Sequence, residues 1–226
     1  MDGRRKALID KLVHCQDINE SKLVDAIRTG TFPRTRLHLL AEQVYLQEKW
    51  PSHIARVYLK LDEPALADRS LIEYIISIIK AENLGVGSKG IPHSDLAVTF
   101  ALSTGVSKSS LMAAQPNTRN RALMDWCDMS ALERSWLEGF AVHIACESQV
   151  TSMAKIARGL SMHYRVREKD NLFWRVHGGP LEMKHSQEGL ALLAKHTSKA
   201  SEEDVVYNYE MSCSLLRQFY DSILGG

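Results

Sequence analysis

The chain has little cysteine, no excess of either charge and no long apolar run, and each shortage closes off a class of protein. Its four cysteines, Cys15, Cys127, Cys146 and Cys213, stand far apart and form no CxxC pair. A disulfide framework or a thiolate zinc site is therefore not expected, and the thiols read as those of a reduced, cytoplasmic protein. Lys and Arg number 28 against 27 Asp and Glu, which leaves no basic surface for nucleic acid and no acidic tail. The opening stretch "MDGRRKALIDKLVHCQ" alternates charge with leucine and lacks the apolar core of a signal peptide. The longest apolar run, "LIEYIISIIKAEN", is cut by Glu73 and Lys80 before it could span a bilayer, so no membrane is expected. HExxH, a Walker A loop and a Gly-x-Ser-x-Gly elbow are also missing.

What the chain does have is helical period nearly everywhere. No alternating strand run, repeat or linker interrupts it, so the expected fold class is all-α, in a single domain over 1–226. "SLIEYIISIIKAEN" carries a broad apolar face, and "ALERSWLEGFAVHIACESQVTSMAKIARGL" continues one for about eight turns. Tyr209, Cys213, Leu216, Tyr220 and Ile223 step by 4, 3, 4 and 3 along a last helix that finishes at Gly225 and Gly226. Earlier helices are expected near 3–14, 20–29, 34–49 and 52–61, with Pro33, Pro51 and Pro64 at their borders. The loop in "KAENLGVGSKGIPHSDL" contains Gly85-x-Gly87-x-x-Gly90, but a helix precedes it and Pro92 follows, so the dinucleotide fingerprint is discounted.

The chemistry lies on the apolar stripes. Glu82 closes the series Leu71, Ile75, Ile78, and Glu147 continues Trp136, Phe140, His143 towards Val150, so each acid points inward. A buried carboxylate needs a cation or donors, which leaves a salt bridge, a helix-end overlap or a metal. Glu182 and His185 are an i, i+3 pair whose side chains can reach one ion, as in di-iron carboxylate bundles. With His177 upstream and His93 opening "HSDLAVTFALSTG", the set holds three carboxylates and three imidazoles. Oxygen and nitrogen ligands without thiolate suit iron or manganese. Cys146 beside Glu147 reads as a packing residue, since neighbours on a helix diverge by about 100°. His143 is a pocket group or a satisfied core histidine. His14, His38, His53, His163 and His196 carry no comparable pattern.

Taken together, "GTFPRTRLHLLAEQVYLQEKWPSHI", "AENLG", "PHSDL", "CESQVTSMAKIARGL" and "FWRVHGGPLEMKH", in that order over roughly residues 20–200, resemble the haem-oxygenase-like di-iron oxidases and oxygenases. That family is related to the chlamydial death-domain-associating protein and to the PQQ-synthesis protein fold. The resemblance implies a bundle of about seven main helices holding two Fe(II) ions on Glu82, His93, Glu147, His177, Glu182 and His185. Dioxygen would be the co-substrate and a small organic molecule the substrate, an amino acid being preferred over a fatty acid. An external electron donor and a homodimer also fit the resemblance. Tyr45, Gln47, His143, Phe173 and Trp174 are candidates to line the pocket, with Arg158 and Lys89 as possible carboxylate partners. The family also has cofactorless and thiamin-processing branches, and a plain helical interaction protein with paired acids is the third alternative.

Two departures from the family pattern sharpen the expectation. Glu182 stands where Asp is usual, and His177 lies eight residues before His185 instead of seven. Seven steps return nearly to the starting helix face, whereas eight overshoot by roughly 80°. Gly178-Gly179-Pro180 is therefore expected to form a π-bulge or a short break that brings the three ligands together; the alternative is a plain loop between two helices.

Overall fold

A computed structural model describes residues 3–17, 21–48 and 53–225. Among these residues there are fourteen α-helical segments and no strand: α1 (Gly3–Asp17), α2 (Lys22–Thr29), α3 (Leu37–Glu48), α4 (His53–Tyr58), α5 (Glu63–Leu66), α6 (Arg69–Leu84), α7 (His93–Ser103), α8 (Lys108–Ala113), α9 (Thr118–Leu132), α10 (Trp136–Glu147), α11 (Val150–Tyr164), α12 (Leu172–His177), α13 (Pro180–His196) and α14 (Glu202–Leu224), with a 3-10 turn at Arg34–Arg36. The class is all-α, as read from the sequence, but the segments outnumber the seven expected because caps and glycines divide long periodic stretches. Pro51 and Gly226, placed at expected helix borders, lie outside the described residues.

Local chemistry explains the boundaries. Ser21, Asp62, Asp68, Asn117 and Ser135 each accept a backbone N–H of the first turn that follows, and Ser135 with Glu138 completes a capping box. The eight-turn helix expected over 131–160 is divided among the end of α9, α10 and α11. Its first break is the Ser135 cap, and its second is Ser148-Gln149, where Gln149 N–H bonds Cys146 O and its side chain returns to Ala145 O at 2.8 Å. The apolar period survives both breaks because neither shifts the phase of the stripe by much.

The buried side chains fall into two apolar clusters. One joins α2, α3, α7, α11, α12 and the end of α14 around Phe100, Trp174 and Phe219. The other joins α1, α4, α6, α10, α13 and the start of α14 around Tyr74, Phe140 and Tyr209. α10 runs through the second cluster with Phe140, Ala141, Val142, Ile144 and Ala145 all at 0% exposure, which is why its hydrophobicity is not confined to one face. Each such Phe or Ile contributes about 1.5–3 kcal/mol by leaving water. The α14 stripe expected from the sequence is buried at all five positions.

Candidate metal centre

The polar residues gather on the seam between these clusters, and each is delivered by a separate local device. Gly85 caps α6 in the left-handed region at φ 66°, and a Cβ there would fall 2.2 Å from the backbone nitrogen of Ile91. Only glycine lets the chain turn back so tightly. That turn brings His93, the first residue of α7, against Glu82 in the last turn of α6, with Nδ1 at 2.9 Å from Oε1. α3 ends beside them at Glu48. α12 ends at His177, whose Nδ1–H donates to Phe173 O at 2.9 Å and leaves Nε2 as the free ring nitrogen.

The break after His177 is not the π-bulge considered from the sequence. Gly179 is extended, at φ −94° and ψ 175°, and Pro180 starts a new helix with Met183 N–H bonded to Gly179 O. No i to i+5 bond forms there among these residues, so the surplus residue is absorbed by two residues outside the helices. Gly178 is required by space: a Cβ would lie 2.5 Å from Ala154 N in α11. The consequence is that His177 joins one group of ligand atoms and Glu182 and His185 join another, instead of all three meeting in one register.

Glu48, Glu82, His93 and His177 each offer a ligand atom within 4.8 Å of one another, as do Glu147, Glu182 and His185. All six residues expected from the sequence are therefore in one of two adjoining groups. Glu48 is the member the sequence reading missed, although Leu37, Ala41, Val44 and Glu48 step by 4, 3 and 4 as the Glu82 stripe does. Tyr74 was missed as well; its ring meets that of His185 edge to face at 6.4 Å, and its buried hydroxyl has no hydrogen-bond partner.

The electrostatics of this seam are unbalanced. Four carboxylates are within reach of each other, and the ion partners of three of them are imidazoles: His93 for Glu82, His143 for Glu147 at 3.7 Å, and His185 for Glu182 at 3.5 Å. Burial, then the charge of Glu82, pushes the Glu48 carboxyl up to about 8. Burial, then Glu182 and Glu82, raises Glu147 well above the usual carboxylate range. Burial acts on Glu182 in the same direction, but the His185 hydrogen bond and the His177 charge outweigh it and hold it low, so of this pair Glu147 keeps the proton. Burial, then His53, lowers His143. His93 Nε2, Glu147 Oε2 and Glu182 Oε1 are buried with no hydrogen bond. Unpartnered polar atoms this deep cost about 1–3 kcal/mol each, and their number here calls for a cation. Four carboxylates, three neutral imidazoles and two divalent ions sum to zero charge, so this oxygen and nitrogen donor set is compatible with iron.

A folded-state carboxyl raised above its ordinary value binds its proton more tightly folded than unfolded. For Glu48 the stability so gained is complete below its ordinary value of 4.5 and is lost as pH rises towards 8. In chelator the protein is accordingly expected to unfold at lower urea at pH 8 than at pH 6, by about 1.4 kcal/mol per pH unit for each proton released. Glu48→Gln flattens that slope. An unchanged slope in the variant would remove Glu48 from the set of strained acids.

A cavity of about 250 Å³ opens beside these ligands, with Glu48, Glu82, Glu147 and His177 in its wall. Gln47, His143 and Phe173 line it as expected, and Met124, Met153, Leu123, Leu216 and Tyr220 give it an apolar side. Tyr45 and Trp174 do not line it: both are buried in the first apolar cluster, Trp174 against Phe100. Arg158 and Lys89, expected as possible carboxylate partners, are exposed and outside the lining, because each falls on a solvent-facing position of its segment. Cys146, expected to be packing, is half-buried and lines the cavity, as does Cys127. No helix among the described residues is long and apolar enough to cross a membrane.

The helical arrangement defines a haem-oxygenase-like class. A domain of unknown function with that fold from Shewanella denitrificans superposes with TM-score 0.74 at 12% identity, over 96% of this chain and 90% of the other. A TenA homologue from Pseudomonas syringae pv. tomato gives 0.72 at 14%, over 96% and 91%, and a CADD-like protein of unknown function from Nostoc punctiforme gives 0.65 at 13%, over 89% and 86%. No relative is found among curated proteins by sequence. Residues 37–217 match the family described as iron-containing redox enzymes, and the chain belongs to that family.

Proposed function

We propose that the protein is a non-haem di-iron oxidase or oxygenase that uses dioxygen on a small organic substrate. The observation that carries this reading is the pair of adjoining ligand groups, with four carboxylates and three imidazoles in a seam where three of the acids have imidazoles as their ion partners. Bound there, two Fe(II) ions supply the electrons that activate dioxygen. The chain's own residues do the rest. His177 is fixed in one tautomer by Phe173 O, and the apolar wall of Met124, Met153, Leu216 and Phe173 excludes water from the reacting face.

The substrate has an apolar body with its polar end at the carboxylate side. No Lys or Arg is among the described lining residues, so an amino acid would anchor its carboxylate on the ions or on amides such as Gln47 and Gln149. The TenA homologue shares the fold, and a metal-free thiamin-type hydrolase is the rival reading; the unpartnered His93 Nε2 and Glu147 Oε2 favour the metal. Iron-loaded protein is expected to consume dioxygen faster, by tenfold or more over a background without substrate, with one member of a panel of amino acids and fatty acids. Thiamin cleavage by chelated protein, with no iron-dependent oxygen uptake, would overturn the reading.

A further inference from the structure

Exposed apolar side chains gather where the ligand-bearing helices end: Leu84 at 63%, Val86 at 52%, Ile91 at 37% and Met183 at 40% exposure. The loop from α6 to α7 holds them together. Gly85 packs on Ile91, Val86 N–H bonds Lys80 O, and Gly87 lies on the first turn of α13, where a Cβ would fall 2.4 Å from Leu181 Cδ2. Leu84 is two residues from Glu82, Ile91 two from His93, and Met183 is next to Glu182. Two residues span at most about 8 Å of backbone, so the wall between the metal centre and solvent is thin here. None of the four exposed side chains lines the cavity.

The rim of this patch is basic. Lys80, Lys89, Arg175 and Lys184 stand around it against Asp95, Glu168 and Glu188. Arg175 pairs with Glu168 and Lys184 with Glu188, which leaves Lys80 and Lys89 to outweigh Asp95. Lys89 holds the left-handed region at φ 60°, between Gly87 and Gly90, which do the same. That region suits glycine and disfavours a side chain. Arg165, the other such non-glycine residue among those described, closes α11, whereas Lys89 caps no helix. Strain borne at an exposed loop position points to a use for the side chain.

We propose that this patch is the docking face for an acidic one-electron carrier protein, of the iron-sulfur or flavin class, that delivers electrons to the metal centre. The apolar middle gives burial, and the lysines give attraction and orientation to a partner of opposite charge. The need for electrons rests on the oxidase reading; the binding face does not. When one atom of dioxygen enters a substrate and the other leaves as water with two protons, four electrons are taken up. The substrate bond gives two, and two carriers give one each and depart oxidised. Because the patch is outside the cavity lining, a carrier seated on it leaves the substrate space open.

The test titrates metal-stripped, full-length protein with an acidic plant-type ferredoxin by calorimetry, with basic cytochrome c as the mirror-charge control. Ferredoxin is expected to bind and cytochrome c not to. Raising salt from about 50 to about 500 mM is expected to weaken ferredoxin binding roughly tenfold or more. Lys89→Glu and Leu84→Asp are each expected to weaken it about tenfold. Lys89→Gly suits the backbone and removes the charge, so weaker binding by that variant at an undiminished thermal midpoint separates docking from folding. Lys199→Glu, beyond the far end of α13, is expected to bind as the wild type does. Absence of ferredoxin binding, binding unchanged in both Lys89 variants, or retention on phosphatidylserine vesicles in its place would overturn the proposal. Iron counted on the same preparations reports on the metal centre separately. Carrier binding without iron uptake would sink the oxidase reading alone, and iron uptake without carrier binding would sink this proposal alone.

Discussion

Glu182→Ala is expected to drop iron uptake from about two ions per chain to fewer than one, the largest loss of any single carboxylate. Glu182 is 3% exposed, sits with His185 at 3.5 Å, accepts a hydrogen bond from the Glu147 carboxyl, and feels His177 from the other ligand group. It is the residue on which both groups act, so removing it unbalances both. His93→Ala removes a ligand from one group alone and is expected to leave about one ion. Iron counted after anaerobic loading and desalting checks both. Equal losses in the two variants would show that the groups do not share Glu182.

The second large effect has opposite signs with and without metal. In chelator, Glu147→Gln is expected to raise the thermal midpoint by about 5 °C, since roughly 1–2 kcal/mol shifts a chain of this size by that much. The raised Glu147 carboxyl shows that the folded protein disfavours its charge, and Gln removes the charge while keeping the volume. With Fe(II) at a hundredfold above its dissociation constant, the wild type gains about 2.7 kcal/mol and the variant does not, so the order inverts. Acid clusters kept against stability are what a site built for a ligand looks like. Differential scanning fluorimetry in chelator and in anaerobic Fe(II) reads both signs. A variant less stable than wild type in chelator would mean that Glu147 is structurally paired.

Much of this arrangement can be read in the sequence because buried acids break an otherwise apolar period. Glu82 and Glu147 stand out for that reason, and the Gly85 turn that returns His93 to Glu82 follows from glycine's access to positive φ. Glu48 obeys the same stripe rule but lies on a helix where Tyr45 and Gln47 drew the reading towards a pocket wall. Of those two only Gln47 faces the cavity, and likewise Phe173 does but Trp174 does not, because adjacent helical residues diverge and sequence alone does not fix which one faces in. The spacing from His177 to His185 correctly signals irregular backbone. It cannot say that Gly179 extends and assigns the two histidines to separate groups, since one ψ angle decides that.

The central claim is that the seam holds two divalent iron ions. Anaerobic titration of chelator-stripped protein with Fe(II), followed by desalting and iron analysis against protein concentration, tests it most directly. The ligand groups predict saturation near two ions per chain, and desalted protein that retains no iron would contradict the account.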